Sequence, residues 1–177
     1  MHTSFFRVQV CVVSSIASLV SFALAFAQDQ PIKLQVDATD APRKILHANL
    51  SFPAKSGSFT LLYPKWIPGE HGPNGPITDL AGLKMSSAAK SIQWRRDPDD
   101  MFTFHLEIPN GANTLDVSLD FLLPPNSGEF SSGASATAEL FDLSWNQVLL
   151  YPKDAKASEV QYAASLRLPE GDRKSVV

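Results

Sequence analysis

The sequence predicts an all-β fold, an antiparallel β-sandwich, on three observations. Apolar residues alternate with polar ones over most of the chain, as on strands with one buried face. The 13 prolines and 9 glycines fall between these runs, and the 10% aromatic residues fall largely within them. At 177 residues, with 44% hydrophobic and 19% charged, the chain has the composition of one globular domain and is short for two.

In chain order, Ile32, Leu34 and Val36 define a first strand, and Leu46, Ala48, Leu50 and Phe52 a second. Phe59 to Tyr63 is a short apolar run that suits a third. Phe102, Phe104, Leu106 and Ile108 alternate with Thr103, His105 and Glu107. After Pro109-Asn110-Gly111, Leu115, Val117, Leu119 and Phe121 alternate with Asp116, Ser118 and Asp120, so these two strands are expected to form a hairpin. Val160, Tyr162, Ala164, Leu166 and Leu168 form one face of a last strand. Repeated one-sided strands of this kind pack as two sheets face to face.

The two ends read differently from the middle. Residues 1–27 resemble a secretory leader: Arg7, an apolar stretch from Val8 to Leu24, then Ala25-Phe26-Ala27 as a cleavage site. The stretch is slightly short for a spanning helix and carries four serines, so no stable membrane insertion is expected once it is removed. The single cysteine, Cys11, goes with it, leaving no thiol or disulfide in the mature chain. An exported protein, periplasmic or extracellular, is the expectation. At the other end Leu168-Pro169-Glu170-Gly171 breaks off in a turn, and DRKSVV matches the translation of a common sequencing adapter. The domain is therefore expected over 28–171, with its sandwich incomplete at the C-terminal end and 172–177 a non-native tail.

The formal charge of -3 provides no basic excess for a phosphate backbone, so nucleic acid is not an expected partner. No H-E-x-x-H zinc motif, G-x-S-x-G elbow, S-x-x-K motif or phosphate loop is present. No catalytic residue and no metal ligand are assigned, and no cofactor is expected in this chain. His47 and His105 fall at polar-face positions and read as solvated strand residues. Asp97, Asp99 and Asp100, in RRDPDD, read as a self-neutralising turn.

Two segments break the alternation. Residues 124–138 are Ser/Gly-rich, with the composition of a surface loop. Residues 64–76, PKWIPGEHGPNGP, are stiffened by Pro64, Pro68, Pro73 and Pro76 around Trp66, which makes an ordered loop. It carries an aromatic platform beside Glu70 and His71, residue types common at binding surfaces. The competing expectation is that Trp66 caps the core and the charged pair is merely solvated.

Tyr63 to Leu83 (YPKWIPGEHGPNGPITDLAGL), with Trp94-Arg95-Arg96-Asp97, Asp100-Met101 and Trp145 to Pro152 (WNQVLLYP), resembles the N-terminal domain of the glycyl aminopeptidase family of zinc metallopeptidases, family sixty-one, over about residues 32–171. The resemblance implies an exported enzyme with a β-rich N-terminal domain, a thermolysin-like domain holding zinc on H-E-x-x-H plus a downstream Glu, and often a PDZ-like module. None of those ligands occurs here, so zinc is expected only in a full-length parent, and this chain alone is expected to be inactive. The resemblance also implies that Trp66, Pro68, Gly69, Glu70 and His71 contact the absent catalytic domain in cis or wall its peptide-substrate cleft. The alternative is a stand-alone exported module that uses the Trp66 loop to hold a peptide or glycan.

Overall fold

The computed structural model describes residues 30–67, 69, 71–123, 136–137, 139–156, 158–171 and 173. The leader expected over 1–27, most of the Ser/Gly-rich segment and most of the tail at 172–177 lie outside them. Among the described residues the chain forms ten strands: β1 (Ile32–Asp37), β2 (Ile45–Pro53), β3 (Gly57–Leu62), β4 (Leu80–Ser87), β5 (Lys90–Ile92), β6 (Trp94–Arg96), β7 (Thr103–Ile108), β8 (Thr114–Leu122), β9 (Tyr151–Pro152) and β10 (Tyr162–Arg167). No helix among them is long and apolar enough to cross a membrane.

The strands make two sheets, a six-stranded one in the order β10-β1-β2-β8-β4-β5 and a four-stranded one in the order β6-β7-β3-β9. Their inner faces share one core. Leu34, Val36, Leu46, Leu50, Phe52, Leu115, Leu119 and Phe121 come from the long sheet, and Leu61, Phe104, Leu106 and Ile108 from the short one. Each large side chain there contributes about 1.5–3 kcal/mol by leaving water. The sandwich predicted from alternation is the fold observed.

The hairpin expected between β7 and β8 does not form. β7 pairs with β3 and β6, whereas β8 pairs with β2 and β4. Residues 109–113 carry the chain from one sheet to the other, so the apolar faces of the two strands meet across the core. Strict alternation on both strands is equally compatible with a hairpin and with this arch. Long-range partners decide between them: β2 offers β8 a nine-residue register, from Ile45 opposite Leu122 to Pro53 opposite Thr114. β2 and β3 are joined by the same kind of arch at the same end.

β10 adds a correction to the antiparallel pattern, since it pairs with β1 in parallel, from Ile32 opposite Tyr162 to Asp37 opposite Arg167. The chain reaches it from β9 in the other sheet, and the crossing lets it enter beside Ile32. The Tyr162 hydroxyl donates to the Leu150 carbonyl at 2.8 Å, lacing this open side of the sandwich. The opposite side is laced by the chain itself, which passes from β5 to β6 through Gln93.

Candidate functional site at the Trp66 loop

The loop that follows β3 is held at its base by four contacts. Tyr63 is fully buried; its N–H donates to the Phe102 carbonyl at 2.8 Å, and its hydroxyl donates to the Gln147 carbonyl at 2.8 Å. Burial, with the charge of Asp79 adding to it, pushes the Tyr63 phenol far above its ordinary pKa, so it stays a neutral donor. Lys65 lies over the Phe102 ring, 5.4 Å from its centroid, and its ammonium meets Asp100 Oδ1 at 3.1 Å.

The two limbs of the loop close on each other at Gly75. Its N–H donates to the Lys65 carbonyl at 2.9 Å, and a Cβ added there would fall 1.9 Å from the Pro64 carbonyl oxygen. Only glycine permits that approach of backbone to backbone. Ile77, buried in the core, then anchors the return into β4.

On this frame Trp66 is 66% exposed. It does not cap the core; Tyr63 does. His71 is exposed, and Gly69, at φ +90°, stands in open space. Pro68 and Glu70 lie outside the described residues, so the structure brings together Trp66, Gly69 and His71 on one loop and is silent on the other two.

The structure adds two residues that the sequence reading missed. Met101 (48% exposed) adjoins Phe102 and Asp100, which hold Tyr63 and Lys65, and Trp145 (41% exposed) opens the short 3-10 turn Trp145–Gln147 that receives the Tyr63 hydroxyl. Three exposed large apolar side chains thus stand on three segments tied together by Tyr63 and Lys65. Their signal in the sequence was the isolation of Met101 and Trp145 outside the alternating runs.

Neither strand histidine is merely solvated. His47 Nδ1 and Nε2 meet Asp120 Oδ1 at 2.7 Å and Asp40 Oδ2 at 3.2 Å. These hydrogen bonds, Asp120 first and Asp40 second, raise the His47 pKa above its ordinary value because both favour the doubly protonated ring. His105 Nε2 meets Asp97 Oδ2 at 2.8 Å, with Thr60 Oγ1 3.2 Å from Nδ1. Asp97 is drawn down to about 2, first by His105 and then by the N–H groups of Asp99 and Asp100. RRDPDD is therefore a turn folded around its carboxylates, as expected, although His105 and Lys65 supply the balancing partners; Arg96 lies over the Phe104 ring instead.

A zinc centre does not fit this arrangement. The carboxylates around His47 sit against opposite nitrogens of one ring and cannot converge on a single ion. Among the described residues no group of three His, Cys, Asp or Glu side chains could hold a metal. A hydrolytic reading of Thr60, His105 and Asp97 also fails. Thr60 and His105 face each other within the β3–β7 ladder, which uses the backbone amides that an oxyanion would need.

A family model described as Peptidase M61 N-terminal domain matches residues 33–176. No curated protein matches the chain significantly. Among solved structures, an aminopeptidase N family protein from Idiomarina loihiensis is similar in fold, with a TM-score of 0.65 and 14% sequence identity. The similarity covers 78% of this chain, which spans 22% of the length of that protein.

Proposed function

We propose a function from the premise that this chain belongs to peptidase family M61, as its N-terminal domain: it is the non-catalytic β-sandwich of an exported zinc aminopeptidase, packing in cis on the catalytic domain and helping to shape the peptide-substrate cleft. The observation that carries this reading is the Trp66 loop, whose base is fixed to the core by Tyr63 and closed at Gly75 while Trp66 faces solvent at 66% exposure. A rigid frame under a bare aromatic residue suits a contact surface, because little conformational entropy remains to be lost on binding. Trp66, Gly69 and His71, with Pro68 and Glu70 of the same loop, are the proposed contact.

In this reading the zinc would be held by the catalytic domain, where it would serve to polarise the peptide carbonyl and activate water. The share of the family fold in this chain supplies surface and rigidity. Export to the periplasm or beyond follows from the leader-like residues 1–27.

The test is hydrolysis of glycyl and alanyl p-nitroanilides by the purified chain, with and without added zinc. No turnover above the zinc-only control is expected. Zinc-dependent turnover that a chelator abolishes would overturn the non-catalytic assignment. The exposure of Trp66 also favours a stand-alone module that binds a peptide or glycan. Saturable quenching of tryptophan emission by a peptide or oligosaccharide, lost in Trp66→Ala, would select that second reading.

A further inference from the structure

The strand registers show where the chain leaves the sandwich. Arg167 on β10 is opposite Asp37 on β1, Asp37 opposite His47 on β2, His47 opposite Asp120 on β8, and Asp120 opposite Ala81 on β4. One row therefore runs across five strands, and Leu80, where the Trp66 loop re-enters the long sheet, lies at the same end as the exit from β10. The loop also begins at this end of the short sheet. Leu62 is the last residue of β3 and pairs with Thr103, whereas Gly57 at the far end follows the arch from β2.

The two ends of the sandwich differ in chemistry. At the exit end stand Trp66, Met101 and Trp145, all exposed and linked through the hydrogen bonds of Tyr63 and the Lys65–Asp100 pair. The far end holds the connections 54–56, 88–89 and 109–113 and the entry of the chain into β10 beside Ile32, and none of the exposed large apolar side chains of the described residues lies there. Trp and Met are enriched in the buried centres of protein interfaces, with charged pairs left at the rim. Leu122, although 43% exposed, points from the outer face of the long sheet and does not belong to the patch.

We infer that the end bearing Trp66, Met101 and Trp145 is the face on which the polypeptide continuing beyond Gly171 in the parent enzyme folds back and packs. This rests on the reading of the chain as an N-terminal domain and adds which end docks and that Met101 and Trp145 belong to the contact. A strand that delivers the chain to its own exposed apolar end makes this docking intramolecular, with a short connection and a high effective concentration.

Hydroxyl-radical footprinting read by mass spectrometry tests it, comparing the 177-residue chain with the parent expressed from its full reading frame. Oxidation of Trp66, Met101 and Trp145 is expected to be about tenfold slower in the parent, as for side chains buried at an interface core, while Leu122 is unchanged. If the parent carries a catalytic domain and the three residues oxidise as fast as in the short chain, the docking face is wrong and the functional reading stands. If the reading frame ends without a further domain, both fall together. Protection that instead rises with the concentration of the short chain would assign the face to a second copy and overturn the inference.

Discussion

His47 and Asp120 occupy directly paired positions of β2 and β8, and the imidazole Nδ1 meets the carboxylate at 2.7 Å. Their neighbour across the sheet is Gly82, at φ +59°, beside the irregularity between Ala81 and Lys84 in the β4–β8 pairing. A side chain at 82 would stand 2.6 Å from Asp120 Oδ2. The bulge in β4 thus makes room for the carboxylate that holds His47.

This pair gives the chain a pH-dependent stability of known sign. The folded-state pKa of His47 is raised, so its contribution is fully present below the unfolded value near 6.5 and is lost as pH rises through the folded pKa. With both side chains about 40% exposed the effect is that of a surface pair, about 0.2–1 kcal/mol. The melting temperature is expected to fall by a few degrees from pH 6 to pH 8, and His47→Gln to flatten that slope.

Gly82→Ala is expected to destabilise the fold by about 1–2 kcal/mol from the left-handed backbone alone. It should also push Asp120 aside, so the NMR titration of His47 moves towards its ordinary value. Destabilisation with an unchanged His47 titration would separate the bulge from the pair.

Asp97 acts in the opposite pH range. Its pKa is held at about 2, so its stabilising effect is present above its ordinary value of 3.8 and is lost as pH falls through the folded value. Asp97→Asn keeps an acceptor for the N–H groups of Asp99 and Asp100 but removes the charge facing His105. The variant is expected to show a shallower loss of melting temperature between pH 4 and pH 2 than the parent sequence.

The tight turn between β4 and β5 places Ala88 at φ 46° and Ala89 at φ 62°, a conformation that Asn-Gly adopts far more readily. Ala88→Asn with Ala89→Gly is expected to stabilise the chain by about 1 kcal/mol. A higher urea midpoint at unchanged slope is the confirming result.

Loop rigidity and loop surface should separate in the two variants Gly75→Ala and Trp66→Ala. The first drives a methyl group into the Pro64 carbonyl and is expected to open the base of the loop, read as faster tryptic cleavage after Lys65. The second removes an exposed ring and should change stability by less than about 0.5 kcal/mol.

Alternation located β1, β2, β7 and β8, each of which buries every second residue, and also β10, whose alternating Tyr162 and Leu166 are only half-buried at the sheet edge; β3 was read from its short apolar run. Alternation missed β4, where the bulge at Gly82 shifts the period, and β5, β6 and β9, which are two or three residues long. It mispaired β7 with β8 because pairing is decided by partners far along the chain. His47 was misread for the same reason, since Asp120 lies 73 residues from it, whereas His105 was misread because the turn at residues 97–102 brings Asp97 back beside it. Of the site, Trp66 and its stiff loop were legible from the prolines and the family resemblance. Met101 and Trp145 also lie within the motifs of that resemblance, but their place beside the loop depends on the long-range hydrogen bonds of Tyr63 to Phe102 and Gln147.

We propose that this sandwich is the N-terminal part of a zinc aminopeptidase. Sequencing the source DNA across the codon for Gly171 and several hundred bases beyond tests it most directly. A frame that continues without DRKSVV and soon encodes H-E-x-x-H with a downstream Glu is expected. A stop codon directly after Val177 in that DNA would contradict it.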